Sequence, residues 1–133
     1  MPRYVTLKRR ATGEVLLPAA RWCVSFLCRL RGLMFRSSLK PGEAIILVEW
    51  FESRAGTTMH MFFVPFAIAM VWIDNAGRVV DKVEALPWRP SYVPRAPARY
   101  ILETAPDFLG HISLGDEVDF EDAPFLGAAP AGR

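Results

Sequence analysis

The sequence predicts a mainly β, α+β domain: a compact curled or barrel-like antiparallel or mixed sheet with one amphipathic helix near the N-terminus. Three observations carry this. Short apolar runs rich in Val, Ile, Phe and Trp recur between turns built on Gly, Pro, Asn and Asp. Only one stretch has helical spacing, and helices do not alternate with strands as a parallel βαβ chain would require. With 133 residues, 52% of them apolar, one continuous core is expected, spanning 1–122 as a single domain, and 123–133 is read as an unstructured tail because it carries few large side chains.

In chain order, Tyr4–Lys8 alternates with period two, and Thr12 and Gly13 turn it into a second short strand at Glu14–Leu17. From Ala19 to Met34 the spacing changes. Trp22, Phe26, Leu30 and Leu33 recur at four, four and three, with Arg21, Ser25, Arg29 and Arg36 on another side, which predicts the helix, with Gly32 weakening its last turn. After the turn at Lys40, Pro41 and Gly42, Ala44–Phe51 is a near-continuous apolar run that reads as a buried strand. Ser53–Gly56 reverses the chain, and strands are expected at Thr58–Phe63 and Ala67–Asp74 around Pro65. The Asp74-Asn75-Ala76-Gly77 turn leads into Arg78–Glu84 and is the strongest hairpin signal in the chain. Four prolines between Pro87 and Pro97 predict a long surface loop; Arg99–Glu103 and Val118–Phe120 return to strand composition.

Sixteen basic against fourteen acidic residues give +2, too close to neutral for total charge to imply a polyanionic partner. The distribution is lopsided: residues 1–40 hold nine basic residues and one acid, residues 41–133 seven and thirteen, nets of +8 and −6. The favoured reading is mutual neutralisation within the fold, so nucleic acid is not the expected partner. The competing reading is a nucleic-acid-binding module that uses the basic N-terminal third, with Trp88, Tyr92, Arg89 and Arg95 as stacking groups. The longest apolar stretch, Met61–Ile73, is thirteen residues broken by Pro65, short of the roughly twenty of a membrane-spanning helix. Cys23 and Cys28, five apart on the expected helix, would point about 140° from each other, an orientation that cannot close a disulfide. Two reduced core thiols and no apolar leader in residues 1–14 lead to an expectation of a cytoplasmic protein.

The blocks Arg29-Leu30-Arg31-Gly32-Leu33-Met34-Phe35-Arg36, Pro41-Gly42-Glu43, His60-Met61-Phe62-Phe63, Trp72-Ile73-Asp74, Gly77-Arg78-Val79-Val80, Arg99-Tyr100-Ile101-Leu102-Glu103 and Gly115-Asp116 resemble the DUF192 family over about residues 5–120. The resemblance implies a compact β-rich α+β domain without an assigned activity; no block in it is a catalytic signature. The chain departs from the family where relatives place an Asp in the strand after the His-x-Phe-Phe block and a Pro two residues before it: here these are Ala69 and Ala67, with a proline instead at Pro65.

The sequence contains no metal-ligand cluster, nucleophile motif or phosphate loop, so no catalytic residue, metal or cofactor is expected. Three ionisable residues stand among apolar neighbours and are the candidate binding groups: Arg31, His60 and Glu103. The plainer reading makes His60 a hydrogen-bonded histidine of a half-buried sheet and joins Arg31 to Glu103 as an ion pair tying helix to sheet. His111 reads as a loop residue, and Glu49 and Glu52 face opposite ways on a strand. The function expected is binding of a small ligand or protein partner, with no membrane involved. The alternative is a hydrolase-type enzyme using His60 with Glu103. Four tryptophans and nine phenylalanines also raise a homodimer through an exposed apolar patch.

Overall fold

The computed structural model describes residues 3–123. Seven strands, β1 (Arg3–Arg9), β2 (Val15–Cys23), β3 (Ala44–Ser53), β4 (Ile68–Ile73), β5 (Val79–Ala85), β6 (Ala98–Thr104) and β7 (Val118–Asp122), form one sheet in the order β5-β4-β6-β3-β2-β1-β7. Every pairing is antiparallel except β2 with β3. One short helix, α1 (Phe26–Arg31), and two 3-10 turns, Ala55–Thr57 and Pro106–His111, complete the described elements.

The β4–β5 hairpin forms where the Asp-Asn-Ala-Gly turn predicts it. Asp74 Oδ1 accepts from the backbone N–H groups of Ala76 and Arg78, both at 2.9 Å. Gly77 follows with φ +90, and a Cβ there would stand 2.6 Å from the carbonyl oxygen of Val118, so only glycine lets the turn approach β7. That approach curls the sheet. The N–H of Val118 donates to Gly77 O at 2.8 Å and the N–H of Val79 to Asp116 O at 2.8 Å, bringing the outer strands β5 and β7 together at one end into a half-barrel.

One core cluster fills the concave side and draws on all seven strands, including Leu7, Ala20, Ile46, Val71, Leu102 and Val118. A second covers the outer face of β3, β4 and β6 with residues such as Leu47, Met70, Trp72 and Ile101, beneath Leu33, Met61 and Val64. Burial on both faces explains the unbroken apolar runs Ala44–Val48 and Ile68–Ile73.

Four expectations are corrected. The helix over Ala19–Met34 is replaced by strand as far as Cys23 and by a helix of only six residues. The four residues whose spacing predicted the helix share no face: Trp22 packs on the concave core from β2, Phe26 and Leu30 are exposed on α1, and Leu33 is buried beyond it. Second, Cys23 and Cys28 form a disulfide with Cα atoms 5.6 Å apart: Cys23 ends a strand and Cys28 lies in the first turn of α1, so the turn at Val24 and Ser25 brings together what one continuous helix would separate. Third, Thr58–Phe63 is not a strand. Met59 bridges to Tyr92, and Met61 exchanges backbone bonds with Trp88 and Arg89, which also ties down the proline-rich loop. Fourth, Arg31 and Glu103 form no ion pair, because Arg31 stays exposed at the end of α1 while Glu103 is buried in β6. The tail lies, from residue 124, outside the described residues.

The lopsided charge meets across the sheet. Arg3, Lys8, Arg9, Arg10, Arg29 and Arg36, six of the nine basic residues before residue 41, pair with Asp122, Glu121, Asp116, Asp119, Glu49 and Glu43.

Candidate functional site

The end of α1 arches over the outer face of β6 and leaves a cavity of about 40 Å³, room for about two or three water-sized groups. Arg31, Gly32 and Met34 line it from the helix end, His60 and Met61 from the loop before β4, and Glu103 from β6. The structure therefore brings the three residues singled out in the sequence to one place, although no ion pair or hydrogen bond joins them.

Glu103 is the unusual group. It pairs along the backbone with Ile45 of β3 and Met70 of β4, so it occupies the middle of the sheet, and it is 4% exposed. Its carboxyl makes no hydrogen bond or ion pair with any described residue, yet no buried side-chain oxygen is sealed off without a partner, so its oxygens meet the cavity. Burial disfavours the charged form and pushes its pKa up to about 7. Gly32, with φ +49 at the C-cap of α1, stands over it: a Cβ there would lie 3.5 Å from Glu103 Oε1, in ordinary van der Waals contact.

His60 is half-buried in a loop rather than a sheet. Its Nδ1 accepts from the N–H of Phe62 at 3.1 Å, which leaves Nε2 to carry the proton of the neutral ring. Arg31 is exposed and has no ion-pair or hydrogen-bond partner among the described residues. Its neighbour Arg29 is committed elsewhere, 3.5 Å from Glu49 and donating to Val24 O at 2.7 Å. The cavity is thus lined by a carboxyl that titrates near neutral pH and by His60 and Arg31 at its rim.

The substitution at Ala69 leaves this cavity intact. Ala69 points into the concave core with Val71 and Ile73, whereas Glu103 faces the opposite side of the sheet, so a carboxylate at position 69 would not reach it. His111 is exposed at the end of its 3-10 turn. Glu49 faces Arg29, and Glu52 accepts from the N–H of Asn75, so the two acids do not act together. No group of three or more His, Cys, Asp or Glu could hold a metal ion among the described residues, and no described helix is long and apolar enough to cross a membrane.

Beside the cavity stands a feature the sequence did not reveal: Phe35 stacks on Phe63 at 4.9 Å between centroids, and Trp88 meets Phe63 edge-on at 5.1 Å. The signal for it was only partial. Phe35 follows the Arg-Gly-Leu-Met block and Phe63 ends the His-Met-Phe-Phe block, but nothing local joins them to Trp88.

These features define a class: a curled seven-stranded mixed sheet with a buried acid opening into a small cavity on its outer face. The family model of DUF192, described as Uncharacterized ACR, matches residues 8–120, and the chain belongs to that family. A UPF0127 protein of Thermococcus sibiricus is 32% identical over 127 residues, 94% of this chain and 80% of the relative. A UPF0127 protein of Pyrococcus horikoshii is 40% identical over 79 residues, 59% of this chain and 65% of the relative. The fold is shared with a crystal structure from Sinorhizobium meliloti, of a protein proposed as a transcription regulator, at TM-score 0.76 and 22% identity over 90% of this chain and 94% of that one.

Proposed function

We propose that the protein binds a small polar ligand in the cavity, with Glu103 receiving a hydrogen bond or positive charge from it and Arg31 and His60 contacting it at the rim. The observation that supports this is the unpartnered carboxyl of Glu103. Polar groups this deeply placed in native structures generally have partners, water included, and a ligand donor can take the place of such a water. The test follows the side-chain carboxyl carbon of Glu103 by NMR while methylammonium, urea and ethylene glycol are added in turn. At least one is expected to move the resonance and lower its midpoint; indifference to all three overturns the proposal.

A second reading, a hydrolase in which His60 and Glu103 share acid and base roles, draws support from a carboxyl titrating near 7 in the same cavity as a histidine. It expects turnover of a generic ester, phosphate or glycoside that His60→Ala reduces at least about a hundredfold. A homodimer through exposed Phe26, Leu27 and Phe51 is a further proposal, decided by sedimentation. So is cytoplasmic location; with Cys23 and Cys28 joined, thiol content no longer supports it, and thiol trapping in fractionated cells decides it.

A further inference from the structure

We propose that Phe35, Phe63 and Trp88 form a stacking platform for a sugar ring whose hydroxyl groups reach Glu103, His60 and Arg31, which makes the ligand a pyranose unit of a saccharide. This rests on the binding role of the cavity and adds the chemical class of what enters it.

Backbone strain marks the three aromatic residues. Among the described residues, the non-glycine positions with positive φ are Phe35 at 66°, Phe63 at 61° and Trp88 at 65°, the same three residues whose rings pack together. Left-handed backbone is unfavourable for an ordinary side chain, and asparagine or glycine would largely escape the strain. The rings do not recover this by burial: Phe35 is 65% exposed, Trp88 52% and Phe63 45%. Three separate segments are locked by backbone bonds, Phe35 N–H to Phe63 O at 2.8 Å and Trp88 N–H to Met61 O at 3.0 Å, to hold large rings in water. Strain kept at exposed aromatic residues points to a ligand surface.

Phe35 follows Met34, and Phe63 lies between Met61 and Val64, and all three neighbours line the cavity. A ligand on the platform would border a cavity lined by Glu103, Arg31 and His60. Sugar hydroxyls donate and accept at once, matching Glu103 on one side and Arg31 with His60 Nε2 on the other, and the space suits one or two hydroxyl or hydroxymethyl groups. The axial C–H face of a pyranose is apolar and carries slight positive charge, which suits the negative face of an aromatic ring. A nucleotide would set its phosphate against the Glu103 carboxyl. A quaternary ammonium has no hydrogen to give that carboxyl and would meet Arg31.

Calorimetric titration of the whole protein with cellohexaose, maltohexaose and chitohexaose tests this, with adenosine monophosphate and tetramethylammonium as controls. At least one saccharide is expected to bind with Kd of about 1 mM or tighter. Trp88→Ala and Phe35→Asn are each expected to weaken it about tenfold with circular dichroism unchanged; the asparagine keeps the left-handed backbone, so loss of the ring is read without loss of the fold. Absence of saccharide binding, affinity undiminished in both variants, or a Trp88-dependent preference for either control overturns the inference. If methylammonium, urea or ethylene glycol perturbs Glu103 while no saccharide binds, the sugar assignment alone falls; if none of these probes acts, the binding role of the cavity falls with it.

Discussion

Gly32 stands against the carboxyl of Glu103: a Cβ built on the glycine would meet Oε1 in van der Waals contact at 3.5 Å. This relationship couples the end of α1 to the middle of the sheet. The helix has no buried residue of its own and is held by the Cys23–Cys28 bond, the Ser25 cap on the N–H of Cys28, and Arg29 beside Glu49. Its last turn places Gly32 over the acid and the exposed Arg31 at the rim of the cavity.

Glu103 makes stability depend on pH in a direction opposite to most carboxylates. Its pKa rises from 4.5 to about 7 in the folded protein, so between these values the folded state holds a proton that the unfolded chain has released. The contribution is fully present below pH 4.5 and is lost as pH rises through 7. Measured by urea unfolding, Glu103→Gln is expected to gain about 2–3 kcal/mol relative to wild type on going from pH 4.5 to pH 8. A constant difference across that range would show that the carboxyl titrates normally.

Gly32→Ala tests the close approach. At φ +49 and ψ −121 the backbone lies where an L side chain is strained, and the added methyl contacts Oε1. A loss of about 1–3 kcal/mol is expected in chemical denaturation, together with weaker response of the Glu103 carboxyl to any cavity ligand. Wild-type stability and response would remove the coupling.

The sheet was legible where the local chemistry is unambiguous. The runs around Ile46 and Val71 show burial on both faces by lacking polar alternation, and Asp74 to Gly77 carries its own turn bonds. Reading failed between Ala19 and Met34, where Trp22, Phe26, Leu30 and Leu33 have helical spacing but sit on a strand, an exposed helix and the segment after it, and the expected continuous helix in turn hid the disulfide. Arg31, His60 and Glu103 stood out as ionisable groups among apolar neighbours. Their lack of mutual pairing did not, because that depends on which way each side chain leaves its element. Phe35, Phe63 and Trp88 converge from segments 25 and more residues apart, and no local pattern announces a left-handed backbone at a phenylalanine or tryptophan.

Cys28→Ser is expected to lower stability by about 2 kcal/mol, the chain-entropy value for so short a loop, and reductant is expected to do the same to the wild type. Because α1 has no other buried anchor, hydrogen exchange of its amides should accelerate more than that of β6. Equal stability with and without reductant would mean that the Ser25 cap and Arg29 suffice.

Asp116 anchors the meeting of the outer strands. Its carboxylate accepts from the N–H of Ser113 at 2.9 Å and from Arg9 at 2.8 Å, and these two hold its pKa below the ordinary 3.8, against a smaller opposing effect of desolvation. A group depressed in this way stabilises above its unfolded pKa and loses that contribution as pH falls. Asp116→Ala is expected to cost about 1–3 kcal/mol at pH 7, with the gap to wild type narrowing as pH falls below about 4. A gap that persists at pH 2 would assign the loss to packing rather than charge.

Phe35 separates stability from binding most directly. Its ring is 65% exposed and touches Phe63, so truncation forfeits one stacked pair, about 0.5–1.5 kcal/mol. Asparagine at the same position relieves backbone strain of about 1–2 kcal/mol. The two nearly cancel, and Phe35→Asn is expected to unfold within about 1 kcal/mol of wild type, where a buried phenylalanine would lose about 3–5 kcal/mol on truncation to alanine. A large loss would mean that the ring is structural, and the strain at Phe35 would then be offset by packing instead of standing ready for a ligand.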